Sequence, residues 1–233
     1  MAGLIGLQAA DIDVQDALGA VRWKYEGEWV PHPVVRLTTT MPVAVNDAEG
    51  RTVVRARWGF PVGGGRPVGN ARDDKLLESR MWSSMLGKTP CLVAATAVYE
   101  QVKEGKEKVS YWFRRTDGRP IVMPGLVGMR RMKEGEERLC AAIVTTEPNA
   151  FFARYHDRQV CTLSGQEADT WMTERDPQAL VRSLHAPAED EWEAVPVDGV
   201  FVRGIVNQED IREVGPAERW DGGRPRSGQM RLG

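Results

Sequence analysis

The chain has 233 residues, 42% hydrophobic and 27% charged, enough for one large domain with a buried core. Lysine and arginine total 31 against 33 acidic residues, so a formal charge of -2 excludes a globally basic nucleic-acid binder and leaves any phosphate contact to a local groove. The three cysteines, Cys91, Cys140 and Cys161, are odd in number and embedded in apolar runs, which excludes a disulfide framework and points to buried thiols in a reducing compartment, cytoplasm or nucleoid.

The opening stretch MAGLIGLQAADIDVQD has no basic flank, and its apolar run is short and interrupted by acids, so neither a signal peptide nor a membrane span is expected there. Short β-rich runs follow: HPVVRL, MPVAVN, TVVRARWGF, CLVAATAVYE, SYWFRR, PIVMPGLVGM and LCAAIVTT, each bounded by Gly, Pro, Asp or Asn. They predict a curved, mostly antiparallel sheet. Between them, DDKLLESRMWSSML predicts an amphipathic helix with Leu77, Met81 and Met85 on one face and acids in its first turn. SGQEADTWM opens with a capping box, Ser164 and Glu167, and DPQALVRSLHAP places Pro177 at the first helical position behind Asp176. Residues 1–216 are read as one domain, and 217–233, rich in Gly, Arg and Pro, as a flexible C-terminal tail.

Familiar catalytic signatures are missing: there is no CxxC pair, HExxH, GxSxG or phosphate-binding glycine loop. The glycine-rich GFPVGGGRPVGN suits a mobile loop better than a nucleotide site. His32, His156 and His185 lack the short spacings of zinc ligands, so no metal and no cofactor is expected. What remains are polar residues at the ends of apolar runs: Asn70 and Arg72, Tyr99 and Glu100, Thr145, and His156 with Arg158. Singly, each has a plain reading, Asn70 as a turn residue, Glu100 as a strand-end acid and His156 as a cation at a helix C-terminus.

In order, however, WGF at 58–60, NAR at 70–72, SRMW at 79–82, CLVAATAVYE at 91–100, DGRPIVMPGLVG at 117–128, IVTT at 143–146 and HDR at 156–158 resemble the SOS response-associated peptidase (SRAP) family. The resemblance runs from about Val34 to Met172, with a weaker echo in RGIVNQEDIREVGP. It implies an α+β single domain with a curved, barrel-like, mostly antiparallel core and a few peripheral helices. It also implies a monomer that binds single-stranded DNA or a single-strand/duplex junction and captures abasic sites as a covalent DNA–protein crosslink.

In the family a cysteine behind the initiator Met supplies an α-amine that forms a Schiff base with the open sugar aldehyde, and a thiol that closes a thiazolidine. Carried over, Ala2 occupies the nucleophile's position, Asn70 would position the sugar or the N-terminal residue, Glu100 would serve the amine as acid or base, and His156 would assist ring opening and proton transfer. Gly3 and Trp58 would contact DNA, and Arg72, Arg80, Thr145 and Arg158 would hold flanking phosphates. The chemistry is sound on general grounds: an α-amine with a pKa of about 7.7–8.0 is partly neutral near pH 7, and an imidazole can both deliver and accept the protons that imine formation needs.

This chain departs from the family pattern at its start, Met1-Ala2-Gly3-Leu4 in place of Met-Cys-Gly-Arg. Without the thiol, the stable thiazolidine crosslink is expected to be lost. Gln101 stands where an aromatic usually follows the YE pair, and PVGGGRPVG replaces an aromatic-containing loop, which favours natural divergence over an engineered Cys-to-Ala change. Beside a domain that keeps the fold only for a protein–protein role, against which the retained Asn70, Glu100 and His156 argue, three readings stand open. The first is abasic-site engagement through a reversible Schiff base, with lyase chemistry. The second is a non-catalytic single-stranded DNA or DNA-end binder on the same fold, and the third, weakest because the cysteines lie in apolar runs, is a hydrolase using an internal thiol.

Overall fold

The computed structural model describes residues 4–222, apart from Glu26, Glu134 and Arg203. In chain order the strands are β1 (Leu4–Leu7), β2 (Arg22–Trp23), β3 (His32–Arg36), β4 (Thr40–Asp47), β5 (Gly50–Trp58), β6 (Asn70–Arg72), β7 (Pro90–Ala95) and β8 (Ala97–Glu104). They continue with β9 (Glu107–Arg115), β10 (Ile121–Arg131), β11 (Glu137–Thr146), β12 (Gln159–Val160), β13 (Trp192–Asp198), β14 (Arg212–Glu213) and β15 (Glu218–Arg219). Four helices are interspersed: α1 (Asp11–Ala17), α2 (Arg80–Ser83), α3 (Gly165–Thr173) and α4 (Pro177–Ser183).

Five strands close on themselves. β5 pairs β4, β4 pairs β7, β7 pairs β10 and β10 pairs β11, all antiparallel, and β11 returns to β5 in parallel at Cys140↔Arg57 and Ala141↔Trp58. Closure removes the exposed edges that these Val- and Ala-rich strands would otherwise present. β7 is buried along its whole length, because α3 covers it from outside. The Trp171 indole on α3 donates to the carbonyls of Cys91 at 3.1 Å and Gly125 at 3.2 Å. Gly125 makes this close approach possible, since a Cβ there would lie 2.8 Å from both the Ala142 carbonyl oxygen and the Cys91 sulfur.

A second, curled sheet runs β3-β1-β8-β9-β13, with β14 and β15 on the outer edge of β13. Its inner face joins the main core through Ile5, Val98, Tyr111 and Phe113, while Leu4, Tyr99 and Val195 form a smaller cluster on the other face. The architecture is the expected α+β, mostly antiparallel one, with a barrel-like core. No helix among the described residues is long and apolar enough to cross a membrane.

Several local expectations need correction. CLVAATAVYE is two strands in different sheets, broken at Thr96, whose N–H donates to the Gly6 carbonyl and whose hydroxyl accepts from the Gln8 N–H. An unbroken apolar run carries no mark of a corner between two sheets. DDKLLESRMWSSML is not one helix but a 3-10 turn at Asp73–Lys75 followed by the short α2; Leu76, Trp82, Met85 and Leu86 are buried, while Leu77 is exposed. Asp73 is drawn out of helical service by Arg158 and Thr146. β1 and α1 arise in the opening stretch where no element was expected. Past residue 216, β15 pairs β13, and Arg219 and Arg114 both bond the buried Glu193 carboxylate.

The capping box holds as read: Glu167 accepts from the Ser164 N–H at 2.7 Å, and the Asp176 carboxylate caps α4 at Gln178 N–H, 3.0 Å. Cys91, Cys140 and Cys161 are buried free thiols, and burial raises all three above the ordinary range.

Candidate functional site

Strand alternation decides where Glu100 points. On β8, Ala97 and Tyr99 face the smaller cluster, so Val98 and Glu100 face the seam between the curled sheet and the barrel. Glu100 is only 5% exposed and sits opposite Tyr111 of β9. The neighbouring pair, Leu4↔Tyr99, brings the N-terminal end of β1 to the same level. Position 2, where the nucleophile is expected, and Gly3 lie outside the described residues.

Tyr111 ties this strand to the HDR segment. Its ring lies 4.9 Å from that of Tyr155, and Phe113 contacts both Phe152 at 4.4 Å and Tyr155 at 4.9 Å, so the 3-10 turn Phe152–Arg154 is stacked on β9 by aromatic contacts. His156 ends that turn, its N–H donating to the Phe152 carbonyl at 3.1 Å. Its Nδ1 lies 3.0 Å from the Arg158 N–H and 2.7 Å from the Asp157 carboxylate.

Burial holds the His156 ring below the usual imidazole value, and Asp157, itself highly solvated, offsets only part of this. Burial therefore favours the neutral ring, whose Nδ1 accepts from the Arg158 N–H in one tautomer and donates to the Asp157 carboxylate in the other. Protonation fixes Nδ1 as a donor toward Asp157. Such a ring can give and take a proton.

Asn70 and Arg72 enter from β6, which runs parallel to β11 with Asn70 opposite Ile143 and Arg72 opposite Thr145. Ala71 between them is fully buried, so Asn70 and Arg72 share the outward face. The Arg72 guanidinium is paired with Asp74 through two contacts of 2.9 and 2.8 Å, which raise its pKa, with a further contribution from Asp157. Arg158, which reaches Asp73 at 2.7 Å and Asp74 at 3.7 Å, places the Asn70–Arg72 segment next to the HDR segment.

Three of the residues expected to contact DNA are buried. Trp58 is fully buried and its indole donates to the Gly69 carbonyl at 2.8 Å, so it offers no face to a base and instead sets the start of β6. Thr145 is fully buried. Arg158 is spent on Asp73 at 2.7 Å and the Thr145 carbonyl at 2.6 Å, with a side chain 7% exposed. All three make their contacts within the protein. Arg80 is exposed and opens α2, and among the described residues it makes no ion pair.

Sequence reasoning missed Asp73, Tyr111 and Tyr155. Asp73 directly follows the NAR stretch, but its acid was explained by a helix first turn; the two tyrosines carry no local signal, because their pairing depends on the fold. Among the described residues no group of three or more His, Cys, Asp or Glu could hold a metal ion.

The chain is 24% identical over 209 residues to the abasic site processing protein YoqW of Bacillus subtilis, covering 86% of this chain and 93% of the relative. Over 117 residues it is 31% identical to the abasic site processing protein YedK of Escherichia coli, 49% of this chain and 52% of that one. A crystal structure of a Bordetella bronchiseptica protein superposes with a TM-score of 0.70 at 21% identity, covering 84% of this chain and 99% of the other; one from Bacteroides thetaiotaomicron gives 0.69 at 18%, covering 84% and 91%. The family model of the SOS response associated peptidases (SRAP) matches residues 1–201, and the chain belongs to that family.

Proposed function

We propose that this protein binds single-stranded DNA, or its junction with duplex, and engages abasic sites through its N-terminal residue. The observation that carries the reading is the buried Glu100 carboxylate, facing the inter-sheet seam at the end of β1 where the chain begins, with the His156 turn stacked on its cross-strand neighbour Tyr111. The names of the relatives, abasic site processing proteins, support the same substrate.

Removal of Met1 exposes the α-amine of Ala2. Its nitrogen adds to C1 of the ring-opened sugar aldehyde, and the resulting carbinolamine loses water to give the imine, with Glu100 and His156 exchanging the protons. With no thiol at position 2 to close a thiazolidine, the imine has two fates. Water returns the aldehyde, or a base removes a proton from C2, the C3–O bond breaks and the 3′ phosphate leaves, a lyase outcome. Asn70 orients the sugar, and Arg80, with Arg72 once it exchanges Asp74 for phosphate, holds the strand.

Borohydride should trap the wild-type chain on abasic single-stranded DNA once mass spectrometry shows Met1 to be absent; no trapped band on such material refutes amine chemistry. Ala2→Cys should then give a heat-stable crosslink without borohydride. The alanine at position 2 also favours a second reading, a non-catalytic single-stranded DNA or DNA-end binder. It predicts salt-sensitive binding that ignores the lesion and no trapping under any condition.

A further inference from the structure

A groove of about 1230 Å³ opens at the other end of the β1–β8 pair from Glu100, where Gln8 meets Thr96. Its charge is the reverse of what DNA requires. Asp13 and Asp16 reach it from one face of α1, exposed and making no ion pair among the described residues, and Glu189 joins them with only a long contact of 3.4 Å to the Ala150 N–H.

The other acids at the rim are matched. Asp117 and Glu191 both meet Arg115, at 2.7 and 3.5 Å, and Glu167 meets His185 at 2.8 Å. Arg119 is the single cation lining the groove that makes no ion pair among the described residues, so negative charge is in excess there. A second observation is independent of charge. Thr162 lines the groove at 7% exposure, and its hydroxyl has no hydrogen-bond partner among the described residues. The residue is largely buried but its hydroxyl stays accessible from the groove, so its hydrogen bonds are completed there by water or by a ligand atom.

We propose that the groove docks an arginine- or lysine-bearing peptide segment of a protein partner. The excess of carboxylates repels phosphate and attracts guanidinium or ammonium groups. Apolar wall residues such as Ala17, Pro120 and Leu163 lie beside the acids, the setting in which the methylene stems of basic side chains are buried while their heads stay at the rim. The groove exceeds the roughly 300–1,000 Å³ of a small-molecule pocket, and a peptide carbonyl is the acceptor the Thr162 hydroxyl lacks. This site is separate from the abasic-site reading and does not depend on it.

The test is fluorescence anisotropy of the full chain with a fluorescein-labelled peptide of arginine, glycine and serine, beside the same peptide carrying glutamine for arginine. The arginine peptide should bind and the glutamine peptide should not. The triple variant Asp13→Asn, Asp16→Asn, Glu189→Gln should weaken binding by about tenfold or more, whereas Glu107→Gln, Glu137→Gln, Glu209→Gln, an equal charge change on residues that do not line the groove, should leave it within about twofold. Thr162→Val should cost severalfold with the rim charges intact, and none of these variants should alter borohydride trapping. Equal losses in the two triple variants would reduce the effect to net charge and overturn the proposal. So would spermidine, which has no carbonyl, binding as tightly as the peptide, or a Thr162→Val variant that binds unchanged.

Discussion

Asp73→Ala separates a structural Arg158 from a phosphate-binding one. The Asp73 carboxylate accepts from the Thr146 hydroxyl at 2.5 Å and from the Arg158 guanidinium at 2.7 Å. Without it, an arginine whose side chain is 7% exposed keeps the Thr145 carbonyl, 2.6 Å away, and the more distant Asp74 at 3.7 Å. Stranding one member of a buried ion pair costs about 3–5 kcal/mol. Asp73 is 19% exposed and Asp74 compensates in part, which lowers the expectation to about 2–3 kcal/mol. For a domain of this size that is a fall in Tm on the order of 4–12 °C. Urea denaturation should show the midpoint falling with the slope unchanged. Asp73→Asn, which keeps an acceptor but not the charge, should lose about half as much. A loss below about 0.5 kcal/mol, the scatter of a surface substitution, would mean a solvated guanidinium and would return Arg158 to the list of phosphate contacts.

Gly125→Ala forces a Cβ to 2.8 Å from a barrel carbonyl and the Cys91 sulfur, and should destabilise by about 1–3 kcal/mol in the same urea assay; a neutral result would mean that β10 and β11 can separate freely. His156 is held neutral in the fold by burial, so protons favour the unfolded chain: its contribution is complete above the unfolded pKa of about 6.5 and is lost as pH falls below it. Between pH 7 and pH 5 wild type should therefore lose stability relative to His156→Gln, measured as the difference in urea midpoints, and a gain on acidification would show that Asp157 governs the ring instead.

The candidate residues could be picked out along the chain because short chemical words stand at strand ends. NAR, YE and HDR each follow a turn or close an apolar run, and their order along the chain carries the information that none holds alone. The roles within those words were less legible. Trp58 and Arg158 look from their side chains like DNA contacts, yet one is a core indole and the other a buried clamp, because a residue's partners lie up to 85 positions away.

Composition, strand alternation and the capping residues at Ser164 and Asp176 are local properties, and they determined the α+β class, the buried thiols and the two C-terminal helices. The closure of β11 onto β5, the corner at Thr96 and the splitting of the predicted helix at 73–86 were decided only in three dimensions. The physical reason is common to all three: an apolar side chain is satisfied by any dry surface, so burial pattern alone does not say which sheet supplies it. Hydrogen bonds and ion pairs between distant segments make that choice. The same is true of the acidic groove, whose rim is assembled from α1, the turn at 189–191 and the start of α3, segments that carry no common pattern until the fold sets them side by side.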